Sequence, residues 1–331
     1  MNEHEPGHMN RRFRKEQERK TMEHTNILRA VVNGPLGAVG QALCRCLLQK
    51  GVETLAVCRP GDNRIQELPD GVKVIECDMR NISTLPELIL GGADAFFHLA
   101  WMGTIGPDRD HPAIQAENIR CAVSAAEVSG ELGCRVFIGA GSQAEYGRIE
   151  GLVRAEAPCF PLSGYGIAKL CAGQLTRIAC RRRGIRHIWT RILSAYGPGD
   201  GPMSVIPTIL RKLTEGEKPA LTKGEQLWDF CYAGDIAEAL YALAKTGKDG
   251  EIYPIGSGEV RPLRTYFEIT RDTVDPSLPL GIGELPYAEN QVMRMQADLT
   301  NLIRDTGYIP QTSFEEGIRE TVRAYRERNG R

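Results

Sequence analysis

Tyr165 and Lys169 stand four positions apart in the chain. On a helix, residues at this spacing share one face and lie one turn from each other. A lysine ammonium near a phenol favours the phenolate, which lowers the pKa of the tyrosine. The pair therefore predicts a tyrosine that donates or accepts a proton near neutral pH when a hydroxyl-bearing substrate reaches it. Ten tyrosines are present, so the spacing needs support from the elements around it.

A glycine-rich turn follows a β-rich run at residues 26–33 and precedes a helical pattern that ends at Gly51. Strand, glycine turn and helix together form the setting in which such a repeat binds a dinucleotide. Gly34 permits the tight turn, Gly37 lets the backbone approach a pyrophosphate, and Gly40 lets the helix pack on the strand. The predicted site also takes in two residues at the helix N-terminus, Leu36 and Ala38.

The second predicted strand, residues 54–58, runs into Arg59 with no carboxylate at its end. NAD-binding folds usually place an acid there, on the ribose hydroxyls. A guanidinium suits a 2′-phosphate instead, so Arg59 favours NADP over NAD, which stays open as the alternative. The third strand, residues 72–77, ends at Asp78 and Met79. The carboxylate of Asp78 is a candidate acceptor for an adenine amino group.

The fourth strand, residues 94–100, is a near-continuous apolar run, as a buried parallel strand requires. Leu99 and Ala100 at its end are assigned to the cofactor, and His98 is predicted to be a hydrogen-bonded core histidine. The fifth strand, residues 135–138, leads to Ser142, close to the strand ends where open α/β sheets bind their ligands. Repeated alternation of strands and helices predicts a parallel, right-handed, doubly wound sheet.

These motifs jointly resemble the extended short-chain dehydrogenase/reductase family of the NAD-dependent epimerase/dehydratase type. The resemblance runs from about residue 26 to the C-terminus and rests on Gly34-x-x-Gly37-x-x-Gly40, His98-Leu99-Ala100, Ser142, Tyr165-x-x-x-Lys169, Tyr196-Gly197-Pro198-Gly199-Asp200, Trp228-Asp229-Phe230 and Asp235. It implies a Rossmann-type doubly wound parallel sheet with a smaller C-terminal α/β substrate domain. It also implies a homodimer.

The resemblance implies a catalytic role for three side chains. Tyr165 would exchange a proton with a carbinol or carbonyl oxygen while the nicotinamide exchanges a hydride. Ser142 would hydrogen-bond the same oxygen. Lys169 would hold the nicotinamide ribose and depress the pKa of Tyr165.

Members of this family commonly act on nucleotide-activated sugars, which implies such a substrate here. The substrate contacts it implies are Ser142, Gln143, Ser194, Trp228 and Arg294. Two of them depart from the family pattern, since many members carry asparagine at the place of Ser194. Relatives often place an arginine that binds the diphosphate at the place of Trp228.

Arg59 and the resemblance together favour a 4-keto-6-deoxyhexose reductase that consumes NADPH. A nucleotide-sugar 4-epimerase with tightly bound NAD is the alternative. A 4,6-dehydratase is disfavoured because Gln143 and Ala144 follow Ser142, where similar dehydratases carry Asp-Glu. Neither side chain supplies a proton transfer, and Glu145 is displaced by one position. A cofactor-sensing or RNA-associated scaffold is the alternative from another class, against which the intact catalytic set argues.

Composition limits the classes of partner. The 331 residues are 42% apolar and 25% charged, with a net charge of −1, so nucleic acid and membrane are not expected partners. No apolar run approaches the ~18 residues of a membrane span. The ten cysteines include no C-x-x-C pair, which favours reduced thiols in a cytoplasmic protein. We predict a polar extension at 1–24, a dinucleotide domain at 25–193 plus 229–256, and a substrate domain at 194–228 plus 257–331.

Overall fold

The computed structural model describes residues 26–289 and 291–330, so the predicted extension at 1–24 lies outside the described residues. The strands are β1 Arg29–Asn33, β2 Glu53–Cys58, β3 Lys73–Glu76, β4 Ala95–His98, β5 Val136–Ser142, β6 Gly151–Val153, β7 Arg186–Ile192, β8 Ser194–Tyr196, β9 Ala220–Leu221, β10 Leu227–Trp228, β11 Phe230–Tyr232, β12 Ile252–Ile255, β13 Arg261–Pro262, β14 Gly281–Ile282 and β15 Arg294–Ala297. The central sheet has seven strands in the order β12-β7-β5-β4-β1-β2-β3, and every pairing in it is parallel.

The helices cover both faces of this sheet. They are α1 Ala38–Gln49, α2 Leu85–Leu88, α3 Pro112–Glu131, α4 Gly164–Arg182, α5 Val205–Thr214, α6 Ala233–Thr246, α7 Leu263–Val274, α8 Thr300–Thr306 and α9 Phe314–Arg328, with 3₁₀ turns at Asn63–Glu67, Met79–Thr84, Pro107–Asp110 and Gln143–Glu145. In the part of the chain that the structure describes, no helix combines the length and apolarity needed to cross a membrane.

Two apolar cores lie on opposite faces of the sheet, because alternate residues of each strand point to opposite sides. Phe96 and Phe137 belong to the core under α3, and their rings stack with centroids 5.8 Å apart. The neighbouring residue Phe97 belongs to the core that also contains Leu43 of α1 and Leu240 of α6. Helices on both faces of a parallel sheet make the doubly wound Rossmann-type fold that the alternation predicted.

A smaller four-stranded sheet, in the order β13-β10-β15-β6, forms next to the C-terminal segments. It takes β6 from residues 151–153, between β5 and α4, and pairs this strand with β15. An aromatic cluster packs beside the sheet, with Tyr266 and Phe314 centroids 4.6 Å apart and Phe230 against both rings. The residue boundaries of the two predicted domains stay a prediction.

Candidate functional site

Helix α4 brings Tyr165 and Lys169 to the carboxyl edge of the sheet. It begins after Ser163, whose Oγ accepts from the backbone N–H of Gly166 at 3.1 Å. The helix lies close to the end of β5, since a Cβ built on Gly166 would stand 2.3 Å from the carbonyl oxygen of Ala144. Because position 166 has no side chain, α4 can bring Tyr165 and Lys169 close to Ser142.

Lys169 is almost completely buried in this arrangement. Its Nζ donates to the carbonyl oxygen of Ala140 at 2.6 Å and lies 3.7 Å from the ring centroid of Trp101. Burial disfavours the charged ammonium and lowers the pKa of Lys169 to about 7. Burial therefore lowers the fraction of Lys169 that is protonated at neutral pH.

The lowered pKa predicted for Tyr165 is not found in this structure, and the effect of Lys169 on it stays a prediction. Burial raises the pKa of Tyr165 above its usual value, while the hydroxyl of Ser142 and the charge of Arg109 act in the opposite direction. The Lys169 Nζ lies 5.7 Å from the Tyr165 ring centroid. The Arg109 guanidinium carbon lies nearer, at 4.3 Å.

Ser142 ends β5 and caps the 3₁₀ turn that follows, where its Oγ accepts from the backbone N–H of Ala144 at 3.2 Å. The turn closes through Glu145, whose carboxylate accepts from the Ser142 N–H at 2.8 Å. The same carboxylate accepts from Trp189 Nε1 at 3.0 Å and from Arg191 Nε at 2.7 Å. Glu145 is fully buried, accepts from three donors and is ion-paired with Arg191, so it orients Ser142 and is not available as the acid of a dehydration.

Gln143 lies beside this serine and is half-buried. Its Oε1 is buried and has no hydrogen-bond partner among the described residues. A buried carbonyl oxygen without a donor is costly. Gln143 therefore has an acceptor without a donor at the catalytic edge, and its place among the substrate contacts stays a prediction.

The glycine turn has the geometry that a pyrophosphate needs. Gly34 has φ +93°, and a Cβ there would stand 2.4 Å from the Ala100 nitrogen. A Cβ on Gly40 would stand 2.3 Å from the Gly34 carbonyl oxygen, whereas one on Gly37 would meet nothing within 4 Å. Gly37 also caps α1 without any side-chain hydrogen bond. The turn thus leaves open space beside an uncapped helix N-terminus, and these residues fit a dinucleotide phosphate.

The other predicted cofactor residues lie around this turn. The backbone N–H groups of Leu99 and Ala100 both donate to the Asn33 carbonyl oxygen, at 2.8 and 2.9 Å. Leu36 is buried, and Ala38 begins α1. His98 is a core histidine, as predicted: its Nδ1 lies 3.0 Å from Asn33 Nδ2, and burial lowers the pKa of His98 to about 3.

An acid that the sequence analysis did not consider lies near the end of β2. Asp62 is buried, and its carboxylate accepts from Arg64 Nε at 3.0 Å and Arg64 Nη2 at 2.8 Å. It also accepts from the Arg64 N–H and from Arg59 Nη2, both at 3.2 Å. Four donors saturate this carboxylate, which leaves it no free lone pair for a ribose hydroxyl, while both guanidinium groups remain largely exposed.

Asp78 caps the 3₁₀ turn that begins at Met79. Its carboxylate accepts from the Arg80 N–H and Nε, both at 2.9 Å, and from Arg80 Nη2 at 2.8 Å. These hydrogen bonds lower the pKa of Asp78 to about 2. Asp78 and the half-buried Met79 lie at the carboxyl end of β3, where the sequence predicts that the adenine binds.

A pocket of about 590 Å³ opens between α5, α7 and β10. Ser194 and Trp228 both line it, and Trp228 Nε1 donates to Ser194 Oγ at 2.6 Å. The two residues that depart from the family pattern are therefore partners of each other. Gln226, which sequence reasoning missed, also lines the pocket, and its buried Oε1 lacks a hydrogen-bond partner among the described residues. Arg294 is exposed at the start of β15 and is not among the lining residues.

Asp229 and Asp235, both in the motifs that carried the resemblance, join distant segments. Asp229 accepts from the N–H groups of Ser257 at 2.7 Å and Ala297 at 3.0 Å. Asp235 accepts from the hydroxyl of Tyr308 at 2.8 Å. Both carboxylates hold the C-terminal chain against the main sheet, so their role in the described structure is architectural.

Trp101 and Arg109 contact the catalytic pair but carried no recognisable signal in the sequence. They lie on the connection between β4 and α3, where no periodic pattern or motif marks them. The Trp101 ring meets the Tyr165 ring edge-on, with centroids 6.1 Å apart. Only the tertiary structure places them here.

Three comparisons bear on this site. Residues 30–256 match the model of the NAD dependent epimerase/dehydratase family. The chain is similar to the dTDP-glucose 4,6-dehydratase of Escherichia coli, with 33% identity over 176 residues, 50% of this chain and 48% of that protein. The aligned part thus spans about half the length of this curated relative.

Solved structures share the whole fold. The UDP-N-acetylglucosamine 4-epimerase from Methanobrevibacter ruminantium M1 superposes with a TM-score of 0.81 at 22% identity, covering 91% of this chain and 98% of that one. A dTDP-glucose 4,6-dehydratase from Streptomyces venezuelae, solved with NAD bound, gives 0.79 at 24% identity with the same coverages, 91% and 98%.

Proposed function

The chain belongs to the NAD-dependent epimerase/dehydratase family, and we propose that it is a nicotinamide-dependent enzyme acting on a hydroxyl-bearing carbon of a nucleotide-activated sugar. The family match confirms the resemblance inferred from the motifs. The observation that carries the proposal is that α4 and the end of β5 bring Tyr165, the buried Lys169 and Ser142 together at the carboxyl edge of the sheet. When bound, the nicotinamide group supplies the hydride donor or acceptor.

The residues of this chain supply the rest of the chemistry. Tyr165 gives a proton to, or takes one from, the sugar oxygen, and Ser142 holds that oxygen by a second hydrogen bond. Lys169 lies next to both and holds the cofactor ribose. The open space at Gly37 and the uncapped N-terminus of α1 support binding of the pyrophosphate.

The pocket near β10 supports binding of the nucleotide part of the substrate. Its lining combines apolar side chains with the unpaired acceptor of Gln226 and one cationic side chain, Lys212. An imide or amino group of a base donates to an unpaired carbonyl oxygen, and an indole such as that of Trp228 stacks on a planar ring. Lys212 is the candidate partner of a phosphate.

At finer detail we propose a 4-keto-6-deoxyhexose reductase that uses NADPH. The saturated carboxylate of Asp62 supports it, because no free acid then competes with a 2′-phosphate near Arg59. A 4-epimerase with bound NAD is the second candidate, favoured by the epimerase and dehydratase activities named for the relatives. The buried ion pair between Glu145 and Arg191 argues against a dehydratase.

A panel of nucleotide sugars tests the proposal directly. The protein is incubated with each sugar and either NADPH or NAD, and the products are separated and weighed by mass spectrometry. A gain of two mass units with consumption of NADPH supports the reductase, and conversion to an isomer of equal mass supports the epimerase. If neither product forms while RNA binds tightly to the chain, the scaffold interpretation replaces the enzyme.

Replacing Arg59 by alanine tests the choice of cofactor. A charge-assisted pair with a phosphate contributes about 1.5–3 kcal/mol, or a preference of roughly tenfold to hundredfold for NADP over NAD. We expect Arg59→Ala to remove most of this preference and to leave NAD affinity unchanged, as measured by calorimetric titration of both cofactors.

The control is Arg264→Ala, an exposed arginine paired with Glu268 on α7. It should leave both affinities unchanged. Equal affinity of the wild-type protein for NAD and NADP, or NAD that stays bound through purification, would instead favour the epimerase.

A homodimer is proposed by analogy with the family. Helix α4 presents three exposed apolar side chains along one face, Ile167, Leu175 and Ile178, and such a stripe is typical of a helix that packs against a partner. Light scattering should give twice the mass of one chain, and the mass of a single chain would exclude it. The cytoplasmic location stays a prediction.

A further inference from the structure

The connection between β4 and α3, residues 101–111, folds over the ring of Tyr165. Two buried amides of α3 hold it: Gln115 Nε2 donates to the Gly103 carbonyl oxygen at 2.9 Å, and Asn118 Nδ2 donates to that of Met102 at 2.8 Å. Gly103 has φ +64°, and a Cβ there would stand 2.7 Å from the Asp108 carbonyl oxygen. The conformation of the connection is therefore fixed by buried hydrogen-bond donors.

Arg109 is positioned by this connection. Its Nη1 donates to the carbonyl oxygen of Thr104 at 2.6 Å, and its guanidinium carbon lies 4.3 Å from the Tyr165 ring centroid. Asp110 ties the same turn to the start of α4, because its Oδ1 accepts from the Gly164 N–H at 2.7 Å. The hydrogen bond to Thr104 thus fixes the Arg109 side chain over the ring, and the contact of Asp110 with α4 fixes the turn that carries it.

Lys169 is less well placed than Arg109 to stabilise negative charge on the Tyr165 ring. Its Nζ lies farther from the Tyr165 ring, at 5.7 Å, and is engaged by Ala140 and by the face of Trp101. Burial also brings its pKa to about 7. An arginine side chain, in contrast, keeps its charge at every pH at which the protein is folded.

We propose that Arg109 is a positioning residue that stabilises the phenolate of Tyr165 in addition to Lys169. The inference rests on the proposed function of Tyr165 as the proton-transferring group. A cation over an aromatic ring is attracted by its π-electrons, and a phenolate ring carries more negative charge than a phenol ring. Arg109 therefore favours the deprotonated form and acts on the reaction through Tyr165.

Other charged and polar groups also face Tyr165. Glu145, from the turn after β5, raises its pKa, and the hydrogen bond with Ser142 lowers it. Lys169 faces it from its own helix. Among the charged groups in this set, Arg109 lowers the pKa of Tyr165, against the effect of burial. Loss of Arg109 should raise that pKa further and shift any activity that needs the phenolate to higher pH.

The test measures the titration of Tyr165 without any substrate. The tyrosines are replaced by 3-fluorotyrosine, whose phenol titrates at lower pH than that of tyrosine, and are observed by ¹⁹F NMR. The resonance of Tyr165 is the one missing from Tyr165→Phe. We expect Arg109→Gln to raise the pKa of this residue by about 0.5–1.5 units and Lys169→Met to raise it by less.

Two further variants separate charge from structure. Arg109→Lys keeps the cation and should leave the pKa closer to the wild-type value, whereas Arg211→Gln, at an exposed position on α5, should leave it unchanged. An unchanged pKa in Arg109→Gln, or equal shifts in Arg109→Gln and Arg109→Lys, overturns the inference. The titration needs no turnover, so its result is independent of the activity assay. Normal turnover in Tyr165→Phe would refute the proposed function, whereas the titration alone decides whether Arg109 lowers the pKa of Tyr165.

Discussion

We expect Tyr165→Phe to lower turnover by roughly 10²–10⁴-fold and to leave cofactor binding nearly unchanged. The substitution removes the hydroxyl that transfers the proton but keeps the ring, which packs edge-on against Trp101 and lies under Arg109. The measurement compares initial rates of wild type and variant with the nucleotide sugar that the panel identifies, together with a titration of the cofactor into each protein.

Tyr241→Phe is the matched control, since Tyr241 is a half-buried tyrosine of α6 beside Lys50 and Lys245. It should retain full turnover. A wild-type rate in Tyr165→Phe on any accepted substrate would remove Tyr165 from the chemistry, and with it the proposed enzyme.

Glu145→Gln should destabilise the fold by about 3–5 kcal/mol, because it leaves a buried guanidinium without its counter-ion. Glu145 and Arg191 have side chains 0% and 3% exposed, and 2.7 Å separates their closest charged atoms. The loss should appear as a lower midpoint of urea unfolding with an unchanged slope. Ser142 would also lose a charged acceptor for its backbone N–H.

Two variants make this measurement specific. Glu215→Gln breaks an exposed ion pair with Arg211 and should change stability by less than about 1 kcal/mol. Glu145→Gln combined with Arg191→Met removes both charges and should recover part of the lost stability. If Glu145→Gln is as stable as wild type, the ion pair with Arg191 does not contribute to the stability of the turn that holds Ser142.

The local chemistry of this protein was readable from the sequence because it depends on spacing and on backbone sterics. A spacing of four positions places Tyr165 and Lys169 on one helix face in any fold. The glycines at 34, 37 and 40 are distinguishable by what a Cβ would meet: Gly34 has the positive φ of a tight turn and Gly40 the close contact that were predicted, whereas the approach of Gly37 to a pyrophosphate stays a prediction. Strand and helix periodicity predicted the doubly wound sheet, since burial on both faces requires continuous apolar strands.

Long-range electrostatics was decided only by the tertiary structure. The pKa of a group depends on burial and on charges that the chain brings from distant positions. Burial of Lys169, the approach of Arg109 from a connection 56 residues before Tyr165, and the contacts of Glu145 with Trp189 and Arg191 leave no mark in local spacing. The sequence by itself thus identified the candidate catalytic side chains, and the packing of distant segments decided which charges and hydrogen-bond partners surround them.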